Sequence, residues 1–153
     1  MSKYKLIQLT NTSIGATAAN TFLPLGTITR KINAPTDPCS TFIVGSSTSD
    51  TVTITEPGYY KITYSATLTA AAAGVIGVSL ITNGVAAYSV SEDATAAEDI
   101  VNLTLVYVIR ICPNCCSTPA NCPVNIQVEL GDVATGITPN PSTANLIIER
   151  IYW

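Results

Sequence analysis

The side chains with the most reactive chemistry in this 153-residue chain are thiols. Cys112, Cys115, Cys116 and Cys122 fall within one short Pro/Asn/Ser-rich stretch, with Cys39 far upstream behind Asp37-Pro38. A Cys-x-x-Cys pair with a further thiolate offers soft ligands to zinc. The same thiols could staple the loop as disulfides in an oxidising place, or stay free. The spacing fits neither a zinc ribbon nor, without a βαβ pattern around it, a redox helix. This cluster is a candidate metal or disulfide site, and no cofactor is expected unless zinc occupies these cysteines.

Acid–base chemistry has little to work with. The chain has no histidine, which removes the commonest general base and the commonest metal ligand together and rules out Ser-His and Cys-His nucleophile pairs. Glu92, Asp93, Glu98 and Asp99 flank an Ala/Thr segment and read as a solvated acidic turn, or as a weak calcium site, since hard cations need several clustered oxygens. A glycosidase pair needs two carboxylates held at fixed separation in a cleft, and no such pair is apparent. No catalytic residue is expected, and the chain reads as a non-enzyme. Tyr59, Tyr60, Tyr64, Tyr88, Tyr107, Tyr152 and Trp153 fit core or interface packing better than sugar stacking.

The elements that must carry these residues are strands. Only 11% of residues are charged while 47% are hydrophobic, against roughly 25% charged in average domains, so much of the surface must be Thr, Ser, Asn and Ala or be covered by neighbouring subunits. An oligomer is expected. Net charge of −3 with seven scattered basic residues leaves no basic stripe for phosphates, so nucleic acid is not a partner. No apolar run approaches the roughly 20 residues that span a bilayer, and the N-terminus does not read as a secretory signal. Synthesis in a cytoplasm is expected, without a membrane partner.

Periodicity predicts an all-β, antiparallel sandwich or jelly roll of about ten short strands. They cover Tyr4–Leu9, Phe22–Ile32, Thr41–Val44, Thr51–Thr55, Tyr59–Thr69, Val75–Thr82, Val85–Ser91, Ile100–Ile111, Val124–Leu130 and Asn145–Tyr152. Glu56-Pro57-Gly58 supplies a turn, after which Tyr60, Ile62 and Tyr64 alternate with polar residues as an inward face. Asn83-Gly84 between two alternating runs predicts a tight hairpin, with Ile76, Val78 and Leu80 in phase with Ala86, Tyr88 and Val90. Residues 21–153 form the domain, and 1–20 an N-terminal arm or attachment strand, the segment 15–20 being polar and flexible in composition.

Two strands are apolar on both faces. Besides Val101, Leu103, Leu105, Tyr107, Ile109 and Ile111, the strand 100–111 carries Val106 and Val108 on its other side. The last strand sets Leu146 and Ile148 against Ile147, Ile151 and Trp153. Such strands are covered on both sides, here by another subunit or by the chain's own loops. Val106, Val108, Ile147, Ile151 and Trp153 are the candidate interface.

Gly58-x-Tyr60-x-Ile62-x-Tyr64 resembles the Gly-x-Tyr-x-Phe-x-Tyr/Phe signature of a central strand in the complement- and tumour-necrosis-factor-like jelly rolls. Thr82-Asn83-Gly84, the strand Leu103 to Ile111, Gly131-Asp132 and the closing Ala144-x-Leu146-x-Ile148 are similar to bacterial and phage branches of that superfamily, exosporium glycoprotein C-terminal domains among them. Ile62 stands where the family has Phe, and no collagen repeat precedes the domain. The resemblance implies a homotrimer displayed on a surface: a virion structural protein, as capsid decoration, cement or short fibre head, with major capsid or tail proteins as partners. Lys3, Tyr4, Leu6 and Leu9 are the candidate attachment residues, because an arm can order on a partner. The alternative is a spore-surface or adhesin-type module reading a glycan or receptor through its end loops, with Ala134 to Thr143 as one such loop.

Overall fold

The computed structural model describes residues 4–32, 41–44, 50–111, 123–131 and 136–152. Ten strands form two five-stranded sheets and there is no helix among the described residues. The strands are β1 (Lys5–Asn11), β2 (Thr27–Ile32), β3 (Phe42–Val44), β4 (Val52–Ile54), β5 (Gly58–Ala70), β6 (Gly74–Thr82), β7 (Val85–Ala94), β8 (Ile100–Ile111), β9 (Val124–Leu130) and β10 (Ile137–Tyr152). The first sheet runs β2-β1-β10-β5-β8 and the second β3-β4-β9-β6-β7, with antiparallel pairing throughout. This is the expected all-β jelly-roll sandwich.

The strict alternation of β5 is why it sits near the centre. Tyr60, Ile62, Tyr64, Ala66 and Leu68 are all buried, in cross-strand register with Ile148, Leu146 and Ala144 on one side and Tyr107, Leu105, Leu103 and Val101 on the other. Cross-strand apolar pairs of this kind fix register, because a one-residue slip would turn the whole set to water. Gly58 opens the strand at φ +146°. From the facing sheet, Phe42 of β3 meets Tyr60 edge-on with ring centroids 6.0 Å apart, the favoured geometry for an aromatic pair. Gly58, Tyr60, Ile62 and Tyr64 thus share the buried face of an inner strand.

Asn83 and Gly84 take φ +48° and +80°, the double left-handed turn that matches strand twist. The phase carries across this hairpin only in part: Val90 and Tyr88 stand opposite Val78 and Leu80, and a bulge then sets Ala86 against Ile81. Because β7 is an edge, Tyr88 is 47% exposed and closes the open side of the sandwich by stacking on Tyr107 at 6.3 Å. Phe22 to Gly26 are not a strand; Phe22 makes an isolated bridge to Glu129. The last strand starts earlier than predicted, and its Pro139-Asn140-Pro141 forms an irregularity opposite β5. Proline is tolerated at such positions, and Ser142 Oγ holds this one by donating to the Thr138 carbonyl and accepting from the Thr69 amide.

Over residues 4–20 the chain does not stand apart as an arm. β1 is an inner strand between β2 and β10, with Ile7, Leu9 and Ile14 fully buried. The polar segment after it laces both sheets together: Ile14 donates to the Ser142 carbonyl, Thr17 pairs with Ile137, and Asn20 and Leu23 donate to Leu130 and Val128. Polar composition signalled flexibility, but the backbone amides of this segment are bonded in both sheets.

Candidate functional site

The outer face of the first sheet is assembled from the positions that alternate with the core. From β1 it takes Leu6, Gln8 and Thr10; from β10, Glu149, Ile147 and Asn145. β5 gives Lys61, Thr63, Ser65 and Thr67, and β8 gives Val108, Val106, Thr104 and Asn102. Its chemistry changes along the strands.

At one end the face is apolar around a single ion pair. Val106 and Val108 are each 49% exposed and Ile151 is 50% exposed, beside half-buried Ile147. Lys61 Nζ and Glu149 Oε1 pair at 3.3 Å in the middle of this patch, and the Tyr4 hydroxyl donates to Glu149 Oε2 at 3.1 Å. Arg110 lies over the Tyr59 ring, 5.7 Å from its centroid. β8 is moreover the sheet edge, so a long strand with two exposed valines borders unpaired backbone groups, a surface that proteins normally cover or charge.

At the other end the face is polar and uncharged. Thr10, Asn11, Thr12, Ser65, Thr67, Asn102, Thr104, Thr143 and Asn145 surround a groove of about 430 Å³. Asn145 Oδ1 accepts from Gln8 Nε2 at 2.9 Å and from Thr10 Oγ1 at 3.2 Å, and Asn102 Oδ1 accepts from Thr67 Oγ1 at 2.8 Å.

Of the predicted attachment residues, Leu9 lies in the core at 0% exposure, and Leu6 lies on the outer face of the first sheet, covered there to 7% exposure. Tyr4, at 46%, remains exposed. Lys3, Trp153 and the cysteines Cys39, Cys112, Cys115, Cys116 and Cys122 lie outside the described residues. Among the described residues, no group of three or more Cys, Asp or Glu side chains is arranged to hold a metal ion. Asp99 instead caps its own loop: its Oδ2 accepts from the Thr95 hydroxyl and from the Thr95 and Ala96 amides at 2.6 to 2.9 Å, bonds that hold its carboxyl below the usual range.

A buried ionic cluster was not anticipated from sequence. Lys5 of β1 and Arg150 of β10 are register partners, and both reach Glu56 Oε2, at 2.5 and 3.3 Å. Lys5 also donates to Thr41 Oγ1 at 2.7 Å and Arg150 to the Pro57 carbonyl at 2.7 Å. Partial burial disfavours the Glu56 carboxylate, but the hydrogen bonds from Lys5 and Thr41 and the charges of Lys5 and Arg150 outweigh it and keep its pKa below the ordinary value. The cluster ties the turn before β5 to the first sheet.

No family model matches the chain, and no curated protein matches it in sequence. Solved structures do match in fold. The globular domain of zebrafish complement 1qA protein is similar over 97% of this chain and 98% of its own, with a TM-score of 0.63 and 10% identity. The vertex protein P5 of PRD1 is similar over 99% of both chains, with a TM-score of 0.59 and 10% identity. Eiger TNF from S. frugiperda gives a TM-score of 0.58 at 9% identity, over 94% of this chain and 90% of its own. At these identities the likeness speaks for architecture alone: the chain has the jelly roll of the tumour-necrosis-factor and complement-1q type.

Proposed function

We propose that this protein is a non-enzymatic structural component of a virion surface, a self-associating jelly roll serving as capsid decoration, cement or short fibre head. The observation that carries the self-association is the apolar end of the outer sheet face, where Val106, Val108 and Ile151 are about half exposed beside the partly buried Ile147. Covering the exposed half of each such side chain is worth on the order of 1 kcal/mol, and a closed ring of identical copies supplies that cover without an open edge. Three copies are favoured because the resemblance of the Gly58–Tyr64 strand is to trimeric jelly rolls. The particle surface is suggested by P5, a vertex protein that shares the fold across nearly its whole length. In this reading no cofactor is needed, and contact with capsid or tail proteins uses the loops of the sandwich rather than a free arm.

The experiment is direct: particles of the phage that carries this gene, purified on a gradient and probed by mass spectrometry, should contain the chain in stoichiometric amount. Its absence from such particles would overturn the virion assignment while leaving the self-association to be judged separately.

A further inference from the structure

The fold sorts charge by sheet, although the sequence scatters it. Every lysine and arginine among the described residues lies on a strand of the first sheet: Lys5, Arg30, Lys31, Lys61, Arg110 and Arg150. The strands of the second sheet carry none, and their anions are Glu92 and Asp93 of β7 and Glu129 of β9. Among the described residues on the outer face of the first sheet, Glu149 alone offsets Arg30, Lys61 and Arg110. Two such faces pressed together would set cation against cation, which selective interfaces avoid. β7 offers the complement. Val85 and Tyr88 are exposed near its start, and Glu92 and Asp93 are exposed near its end with no ion pair among the described residues. The levels also agree. Tyr88 stacks on Tyr107, and Glu92 and Asp93 lie as far along β7 from that pair as Leu103 and Asn102 lie along β8, both towards the loop that joins the two strands. In the other direction Val85 is level with Arg110.

From this we infer that copies of the chain meet through unlike surfaces, β7 of one copy lying across the outer face of the first sheet of the next. Rotation about an axis that runs along the strands keeps every copy at the same height. Val85 and the exposed side of Tyr88 then cover the patch of Val106, Val108 and Ile151, and the carboxylates of Glu92 and Asp93 enter the groove between Asn145 and Asn102. Gln8, Thr10 and Thr67 hold the side-chain oxygens of those two asparagines, which leaves their NH2 groups as donors. A carboxylate accepts only, and its bonds to such donors are charge-assisted. Arg30 is the cation of this face closest to the groove in register, since it pairs with Gln8, two residues from Thr10. The inference rests on the self-association reading and adds which surface the neighbour brings.

The test uses the full chain with an amine placed in the groove. Asn145→Lys chains, half of them 15N-labelled, are refolded together and treated with a carbodiimide, which joins the amine to a carboxyl carbon in contact with it and departs as a urea carrying the carboxyl oxygen. Mass spectrometry should find an amide between position 145 and Glu92 or Asp93 whose two peptides carry different nitrogen isotopes, the mark of a link between copies. Asn102→Lys repeats the measurement from the other wall of the groove if the first variant does not fold. In sedimentation equilibrium, Glu92→Lys should raise the dissociation constant of the oligomer tenfold or more. Glu129→Lys, the same charge change on the outer face of the second sheet, should not. An oligomer that forms no such link, or that Glu92→Lys weakens no more than Glu129→Lys does, overturns the inference and leaves self-association standing. A single-copy species of the unmodified chain overturns both.

Discussion

Lys5 and Arg150 face one another across β1 and β10 and share one carboxylate oxygen, Glu56 Oε2. Two cations with side chains only 11% and 8% exposed are held side by side by one anion at the base of the sandwich. Removing one member of such a group is destabilising because the others stay buried without compensation.

Glu56→Gln should therefore lower stability at neutral pH by about 2 kcal/mol, discounted from a fully buried pair because the carboxylate is partly open to water. The pH dependence has a defined sign. The folded-state pKa of Glu56 is depressed, so its contribution is present above the unfolded-state carboxyl pKa and is lost as pH falls through the folded value. Urea denaturation of both proteins at neutral and at strongly acidic pH checks this: the gap between them should close on acidification, and a constant gap would contradict it.

Tyr64 offers the opposite case. Its hydroxyl is buried in the core with no hydrogen-bond partner among the described residues, and burial pushes the phenol pKa up. Tyr64→Phe removes a desolvated polar atom without leaving a cavity, so the midpoint of denaturation should rise by the equivalent of about 1 kcal/mol. A fall of that size would show that the hydroxyl has a partner such as a buried water.

Two glycines separate conformational from steric demand. Gly84 has φ +80° with open space where a Cβ would sit, whereas at Gly26, φ +86°, a Cβ would run into the Thr10 carbonyl group. Gly84→Ala should cost about 1 kcal/mol, and Gly26→Ala clearly more, because the backbones of β1 and the turn before β2 must part. Equal losses for the two in thermal melts would contradict this.

The strand pattern was legible because its signals are local. The alternation from Gly58 to Tyr64 and the Asn83-Gly84 turn each state their conformation within a few residues, and both faces of β8 were readable in the same way. Positions set by distant partners were not. Nothing near Lys5 indicates that Arg150 stands opposite it, and nothing in residues 14 to 25 announces amides bonded to β9 and β10. The polar groove was missed for the same reason, since Thr10, Asn102 and Asn145 become neighbours only through sheet order. The polar, flexible composition of residues 15–20 suggests an arm and draws Leu6 and Leu9 into it, whereas β1 lies between β2 and β10 in the first sheet.

Val106 and Val108 are where self-association is most open to disruption. Replacing both with glutamate puts like charges on the strand edge that copies would share. The double variant should keep the circular dichroism of the parent, since both side chains are solvent-facing in one chain, yet lose its oligomer by gel filtration. A variant that stays assembled would move the contact to another surface.

The most direct measurement is sedimentation equilibrium of the unmodified chain at micromolar concentration, without detergent or partner. The account predicts a mass of three copies, about 48 kDa from the 16.0 kDa chain. A single species at the mass of one copy would contradict it, because the valines of β8 would then stand in water with nothing to cover them.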